Sequence, residues 1–105
     1  MRNESERPAI ADIVISINGR DAGKRFIITG MEDEYSLLAD GKGRRYKKPK
    51  RKKNKHLKYE DKSSGLIAEK LTGGEKVTNN ELRRALAAYA AEHANEGGVK
   101  CQKTT

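Results

Sequence analysis

Ile13, Ile15 and Ile17 alternate with Asp12, Val14 and Ser16, the period of two expected of a half-buried strand, and Asn18-Gly19 ends it. The segment Gly19-Arg20-Asp21-Ala22-Gly23 puts two glycines where a turn needs positive φ, and Phe26-Ile27-Ile28-Thr29 then resumes a β-branched and aromatic pattern. Gly30-Met31-Glu32-Asp33-Glu34 reads as a polar break. A third strand is expected over Tyr35-Ser36-Leu37-Leu38-Ala39, stopped by Asp40-Gly41. Arg44-Arg45-Tyr46 is a candidate fourth strand, Pro49 interrupts any helix or central ladder, and His56-Leu57-Lys58-Tyr59 is spaced to return to the sheet. Short strands this close together predict a small barrel.

From Asp61 the period becomes helical. Leu66, Ile67 and Leu71 are expected on one face of a short helix that Gly73-Gly74 stops. Thr78-Asn79-Asn80-Glu81 fits a capping box, with Val77 and Leu82 as its hydrophobic staple. Leu82, Ala85, Leu86, Tyr89, Ala90 and His93 then form one apolar stripe reaching Gly97-Gly98. A lone helix of that length is marginal in water, so the stripe needs a surface, and Ile67 and Leu71 are the nearest. The expectation is a flexible N-terminus over 1–8, a strand-rich domain over 9–59, a helical extension over 60–97 and a disordered tail over 98–105, in a β-rich α+β fold with one short and one longer helix.

Charge changes the picture more than composition does. Between Lys42 and Lys58, eleven of seventeen residues are Lys or Arg, with no Asp or Glu among them. The chain carries +8, yet outside that run twelve Lys and Arg face fifteen Asp and Glu, a balance of −3. The positive charge is concentrated in one place, and a polyanion meeting it gains Coulomb attraction and releases counterions. Hydrophobic residues make up 34% of the chain and charged residues 36%, so the core is small and binding can complete its ordering.

The interleaving of Tyr46, His56 and Tyr59 with the cations suits stacking on RNA bases or ribose, and equally suits core positions. The plain alternative for the run is a solvated polycation without a specific partner. Bulky apolar anchors are scarce in it, which argues against a lipid surface, and no stretch approaches the ~20 apolar residues of a membrane span. Met1 to Pro8 lack a secretory pattern and Cys101 is the only cysteine, so a soluble cytoplasmic protein is expected.

Gly19 to Lys24 superficially resembles a phosphate-binding Walker loop, but three residues rather than four separate its glycines, and Arg25 stands where a Ser or Thr would hold magnesium. Its glycines fit a tight turn that lifts Arg20, Lys24 and Arg25 toward a polyanion. His56 and His93 lack partners at metal-ligand or nucleophile spacing, and Asp33-Glu34 reads as a solvated turn. No catalytic site, metal, cofactor or small-molecule substrate is expected.

The stretch from Ala11 to Ile28, with Gly-Arg-Asp-Ala-Gly-Lys after a strand, resembles a KOW motif, the RNA-binding strand-loop-strand of several ribosomal proteins and transcription factors. Leu38-Ala39-Asp40-Gly41 before the basic segment and Lys55-His56-Leu57 after it resemble the large-subunit ribosomal family called L-fourteen-e in archaea and eukaryotes. The resemblance covers residues 9–59, and small bacterial proteins described only as KOW-domain RNA-binding proteins look similar along their barrel. It implies an SH3-like barrel and RNA contacts from Arg20, Lys24 and Arg25 in the loop, then from Lys42, Arg44, Arg45, Lys47, Lys48, Lys50, Arg51, Lys52, Lys53 and Lys55. Tyr46 and His56 join them as candidate stacking residues. The expected function is non-enzymatic RNA binding, with ribosomal RNA as the partner. The alternative is a transcription or translation accessory factor whose C-terminal helix docks a protein.

Overall fold

Residues 9–63 and 65–97 are described by a computed structural model, in which the alternating segments form a five-stranded antiparallel sheet and the helical segments cover one side of it. The strands are β1 (Asp12–Ser16), β2 (Arg25–Glu32), β3 (Tyr35–Ala39), β4 (Lys50–Lys53) and β5 (Leu57–Lys62), with a single 3-10 turn, Asn54–His56, between the last two. The helices are α1 (Gly65–Thr72) and α2 (Asn79–Gly97). Sheet order is β4-β3-β2-β1-β5, a meander whose final strand returns beside the first. The expected N-terminal and C-terminal tails lie outside the described residues.

Both faces of the sheet are covered, and this corrects the expectation of a half-buried first strand. Ile13, Ile27 and Ala39 face the helices, where they cluster with Ile67, Leu71, Val77 and Leu82. Val14, Phe26, Ile28, Leu38 and Leu57 form a second cluster on the opposite face. Val14 and Ser16 are therefore buried, whereas Ile17 lies beyond the strand end and is 55% exposed. Register shifts between Ile13 and Val14 against β5, and between Ile28 and Gly30 against β3, mark bulges that bend the strands.

Two strand boundaries also differ from expectation. β2 runs through Gly30 and Met31 to Glu32, because those residues find ladder partners in Leu37, Ser36 and Tyr35, and only Asp33-Glu34 remain as the turn. Arg44-Arg45-Tyr46 is not a strand, and the fourth strand is Lys50-Arg51-Lys52-Lys53, directly after Pro49. A run of four cations tolerates this place because it is the sheet edge, where Arg51 reaches solvent and Lys50 and Lys52 meet Asp21, and charge there discourages pairing with another chain. Leu57 is buried in the second cluster, so the basic run is anchored at Ala39 on one side and Leu57 on the other.

β5 continues to Lys62, past the point where the helical period was expected to begin. In α1, Ile67 and Leu71 are buried but Leu66 is 61% exposed, since consecutive helical residues point about 100° apart and only the i, i+4 pair meets the sheet. The capping box is present: Thr78 N–H donates to Glu81 Oε1 at 2.8 Å, and Glu81 N–H donates to Thr78 Oγ1 at 3.0 Å. Lys70 bonds Glu81 as well, and this bond leads the causes that lower the Glu81 pKa. Val77 and Leu82 are both buried in the helix-side cluster, and Ala85, Leu86 and Tyr89 pack against it. The stripe thus packs from Leu82 to Tyr89, with Leu86 only partly covered, whereas Ala90, expected to continue it, is exposed. Among the described residues, no helix is long and apolar enough to cross a membrane.

Leu82 is fully buried between the helices and the sheet. Leu82→Ala should cost about 2–4 kcal/mol, measured by denaturant unfolding. In hydrogen exchange on the isolated protein, amides from Leu82 to Ala91 should be protected together with those of β1 and β2; free exchange in α2 alone would show that the helix does not share the core.

Candidate nucleic-acid interface

The turn between β1 and β2 is set by its backbone. Gly23 N–H donates to Ser16 O at 2.7 Å, Ser16 N–H donates to Lys24 O at 3.0 Å, and Gly23 holds φ at +89°, where an L side chain is strained. The Asp21 side chain folds back beneath the turn, accepting hydrogen bonds from Ser16 Oγ at 2.8 Å and Lys52 Nζ at 2.9 Å, with Lys50 Nζ 3.6 Å from its other oxygen. Lys52 also donates to Asn18 O at 2.6 Å. Burial pushes the Asp21 carboxyl up, but the hydrogen bonds from Lys52 and Ser16 and the charges of Lys52 and Lys50 outweigh it and lower the pKa from 3.8 to about 2. The turn is thus tied to β4 by a largely buried ion pair, with side-chain exposures of 11% for Lys52 and 13% for Asp21.

Strand alternation then sorts the basic run. Lys50 and Lys52 pair in register with Leu38 and Ser36 and point toward the turn. Arg51 and Lys53 point the other way: the Arg51 guanidinium lies 3.7 Å from the Tyr35 ring centre and 2.9 Å from Glu32 Oε1, and Lys53 Nζ lies 5.9 Å from the same ring. Such cation–π contacts hold the cations against the protein while leaving their outer faces open.

The loop from Asp40 to Pro49 carries the rest. Asp40 Oδ1 accepts the N–H groups of Lys42 and Arg44 at 2.8 and 2.9 Å, which curls the loop and turns both side chains outward. A cavity of about 390 Å³ opens between this loop, the β1–β2 turn and β4. Arg20, Lys24, Arg44, Lys50 and Lys52 all reach it, so two segments that are separate in sequence converge. Among the described residues Arg20, Lys24, Lys42, Arg44, Arg45, Lys47, Lys48 and Lys55 have no ion-pair partner, and all are exposed. An anionic backbone needs cations whose charge is not already neutralised, and these eight meet that condition.

The remaining candidates are placed differently. Arg25 pairs with Glu60 at 3.1 Å and sits 5.3 Å from the Tyr89 ring, joining β2, β5 and α2. Burial and the Glu60 charge push the Tyr89 phenol up to about 12. Tyr46 packs against the helix-side core and its N–H donates to Asn79 Oδ1 at 2.7 Å, so its ring serves the fold. His56 Nδ1 lies 3.2 Å from Asn18 Nδ2, at the end of the 3-10 turn. Arg45, Lys47 and Lys48 stand on the loop outside the cavity, and Lys55 is exposed on the 3-10 turn.

Sequence reasoning missed Asp21, Asp40 and Arg83. Asp21 carried a weak signal, an acid between two glycines of a basic turn. Arg83 carried none. It projects from α2 and donates to Gly41 O at 2.6 Å, while Gly41, at φ +80°, lies so close to Asn79 O that a Cβ there would sit 2.2 Å from it. The start of α2 therefore rests directly on the basic loop.

Because Asp21 is ionised more readily when folded, its contribution is complete above about pH 5 and is lost as pH falls toward 2, a loss of about 2 kcal/mol. Acid unfolding of the Asp21→Asn variant should be flatter over that range. At neutral pH Lys52→Gln should lower stability by about 1–3 kcal/mol, whereas Lys47→Gln should stay within ~0.5 kcal/mol. Gly23→Val should lower the melting temperature and Lys24→Ala should not, while Lys24→Ala weakens RNA binding in a filter assay; the opposite pattern would overturn the division between backbone and ligand roles.

No protein-family model matches this chain, and comparison with curated proteins returns no match.

Proposed function

We propose that the protein is a non-enzymatic RNA-binding protein of the KOW type, with ribosomal RNA as its target. The observation that carries this reading is the convergence of unpaired cations from the β1–β2 turn and the basic loop on one cavity. Arg and Lys neutralise phosphates there, and the glycine turn lets the backbone come close. The finer description of the sheet as an SH3-like barrel belongs to the same proposal. It is supported by the meander order, by the single 3-10 turn before β5 and by the second core cluster, drawn from four strands. Leu82 and the stripe that follows it pack against the core, which favours RNA contact over a helix-docking role.

The test uses cations that have no structural partner. Replacing Arg44, Arg45, Lys47 and Lys48 by Gln should weaken binding to every RNA and reduce the slope of log K against log salt by about 3, because each lost phosphate contact contributes 0.7 to 0.9. An unchanged slope with full binding would reject the assignment. For ribosomal RNA specifically, the protein should co-sediment with large ribosomal subunits in a sucrose gradient and leave them at high salt.

A further inference from the structure

A second cavity, of about 510 Å³, lies between the basic loop and α2, and it adjoins the first: Lys24 and Asp40 line both. Its character differs. Leu86 and Ala87 supply an apolar wall, and Lys24, Lys42 and Arg83 stand around it. Arg83 keeps its position by donating to Gly41 O, and the backbone of Lys42 is held by Asp40. Among the described residues Lys24, Lys42 and Arg83 have no carboxylate within ion-pair distance.

We infer that the two cavities form one groove for single-stranded RNA, with a phosphate among Arg20, Lys24 and Arg44 and the base of an unpaired nucleotide against Leu86 and Ala87. The inference rests on the RNA-binding reading and names the form of RNA. In a duplex the base faces are stacked inside and only phosphates, sugars and edges are presented, so an apolar wall among cations has nothing to receive. An unpaired nucleotide presents an apolar base face and flanking phosphates together, and the combined space lies within the ~300–1,000 Å³ usual for a small ligand. Four of the aromatic rings that could stack a base are taken up by the fold. Phe26 is buried, Tyr46 and Tyr89 pack against the core, and Tyr35 lies under Arg51. The wall on α2 takes that part.

The probes are a labelled 12-nucleotide mixed-sequence RNA and the blunt duplex formed with its complement, each titrated at the same salt concentration. The single strand should bind at least about tenfold tighter, the scale of one base contact. Ala87 is exposed, and Ala87→Glu places a charge on the wall without entering the core. It should weaken the single strand about tenfold and the duplex far less. With 4-thiouridine in the single strand, ultraviolet crosslinks should map to α2 between Arg83 and Ala87 as well as to the basic loop. Equal affinity for the two probes, an equal loss on both, or crosslinks confined to residues 42–58 would each overturn the inference while leaving RNA binding in place. Failure to bind either probe would overturn both readings.

Discussion

The carboxylate of Asp21 lies under a turn of a strongly basic protein, and the shape of the surface around it follows from how its charge is neutralised. Lys52 and Ser16 hydrogen-bond one oxygen and Lys50 approaches the other. A carboxylate so far removed from water is tolerated only when paired, and the pair here joins the β1–β2 turn to the edge strand β4. Removing Lys52 leaves Asp21 with Ser16 and the more distant Lys50, and removing Asp21 leaves Lys52 with Asn18 O alone. The same link holds Arg20 and Lys24 of the turn beside β4, along one side of the cavity that Arg44 also lines.

A density of like charge this high opposes compaction, and the structure divides the cations to contain that cost. Arg25, Lys50, Arg51 and Lys52 are matched with Glu60, Asp21 or Glu32 and serve the fold. The exposed loop cations are left unmatched. Their mutual repulsion would be relieved by any polyanion bound there, and such binding would raise the apparent stability of a domain whose core is small.

The helices do more than cover the sheet. The contact of Gly41 with Asn79, the bond from Arg83 to Gly41 O and the bond from Tyr46 N–H to Asn79 Oδ1 brace the loop that opens the basic run. A substitution at Gly41 would meet both a left-handed backbone and the carbonyl of Asn79. The helical extension and the strand-rich part are thus joined at this loop, and the cavity between the loop and α2 exists only because α2 is seated.

Local chemistry made much of this legible from the chain alone. β3, the capping box of α2, the Val77 and Leu82 staple, the stop at Gly73-Gly74 and the glycine turn depend on near neighbours, and the structure has each where the residues put it. The concentration of charge between Lys42 and Lys58 was equally plain. What the pattern missed depends on contacts across the fold. Covering both faces of β1 buried Val14 and Ser16, pairing with β3 extended β2 through a polar segment, and the sheet edge admitted four cations as a strand. No periodicity reports which of eleven neighbouring cations meets a carboxylate thirty-one residues away, as Lys52 meets Asp21. The sequence alone determined that this protein carries a dense basic segment beside a glycine turn; that both ends of the segment are anchored came from the burial of Ala39 and Leu57. Only the tertiary structure decided which charges are spent inside and which remain free, because a charge is neutralised by what lies near it in space.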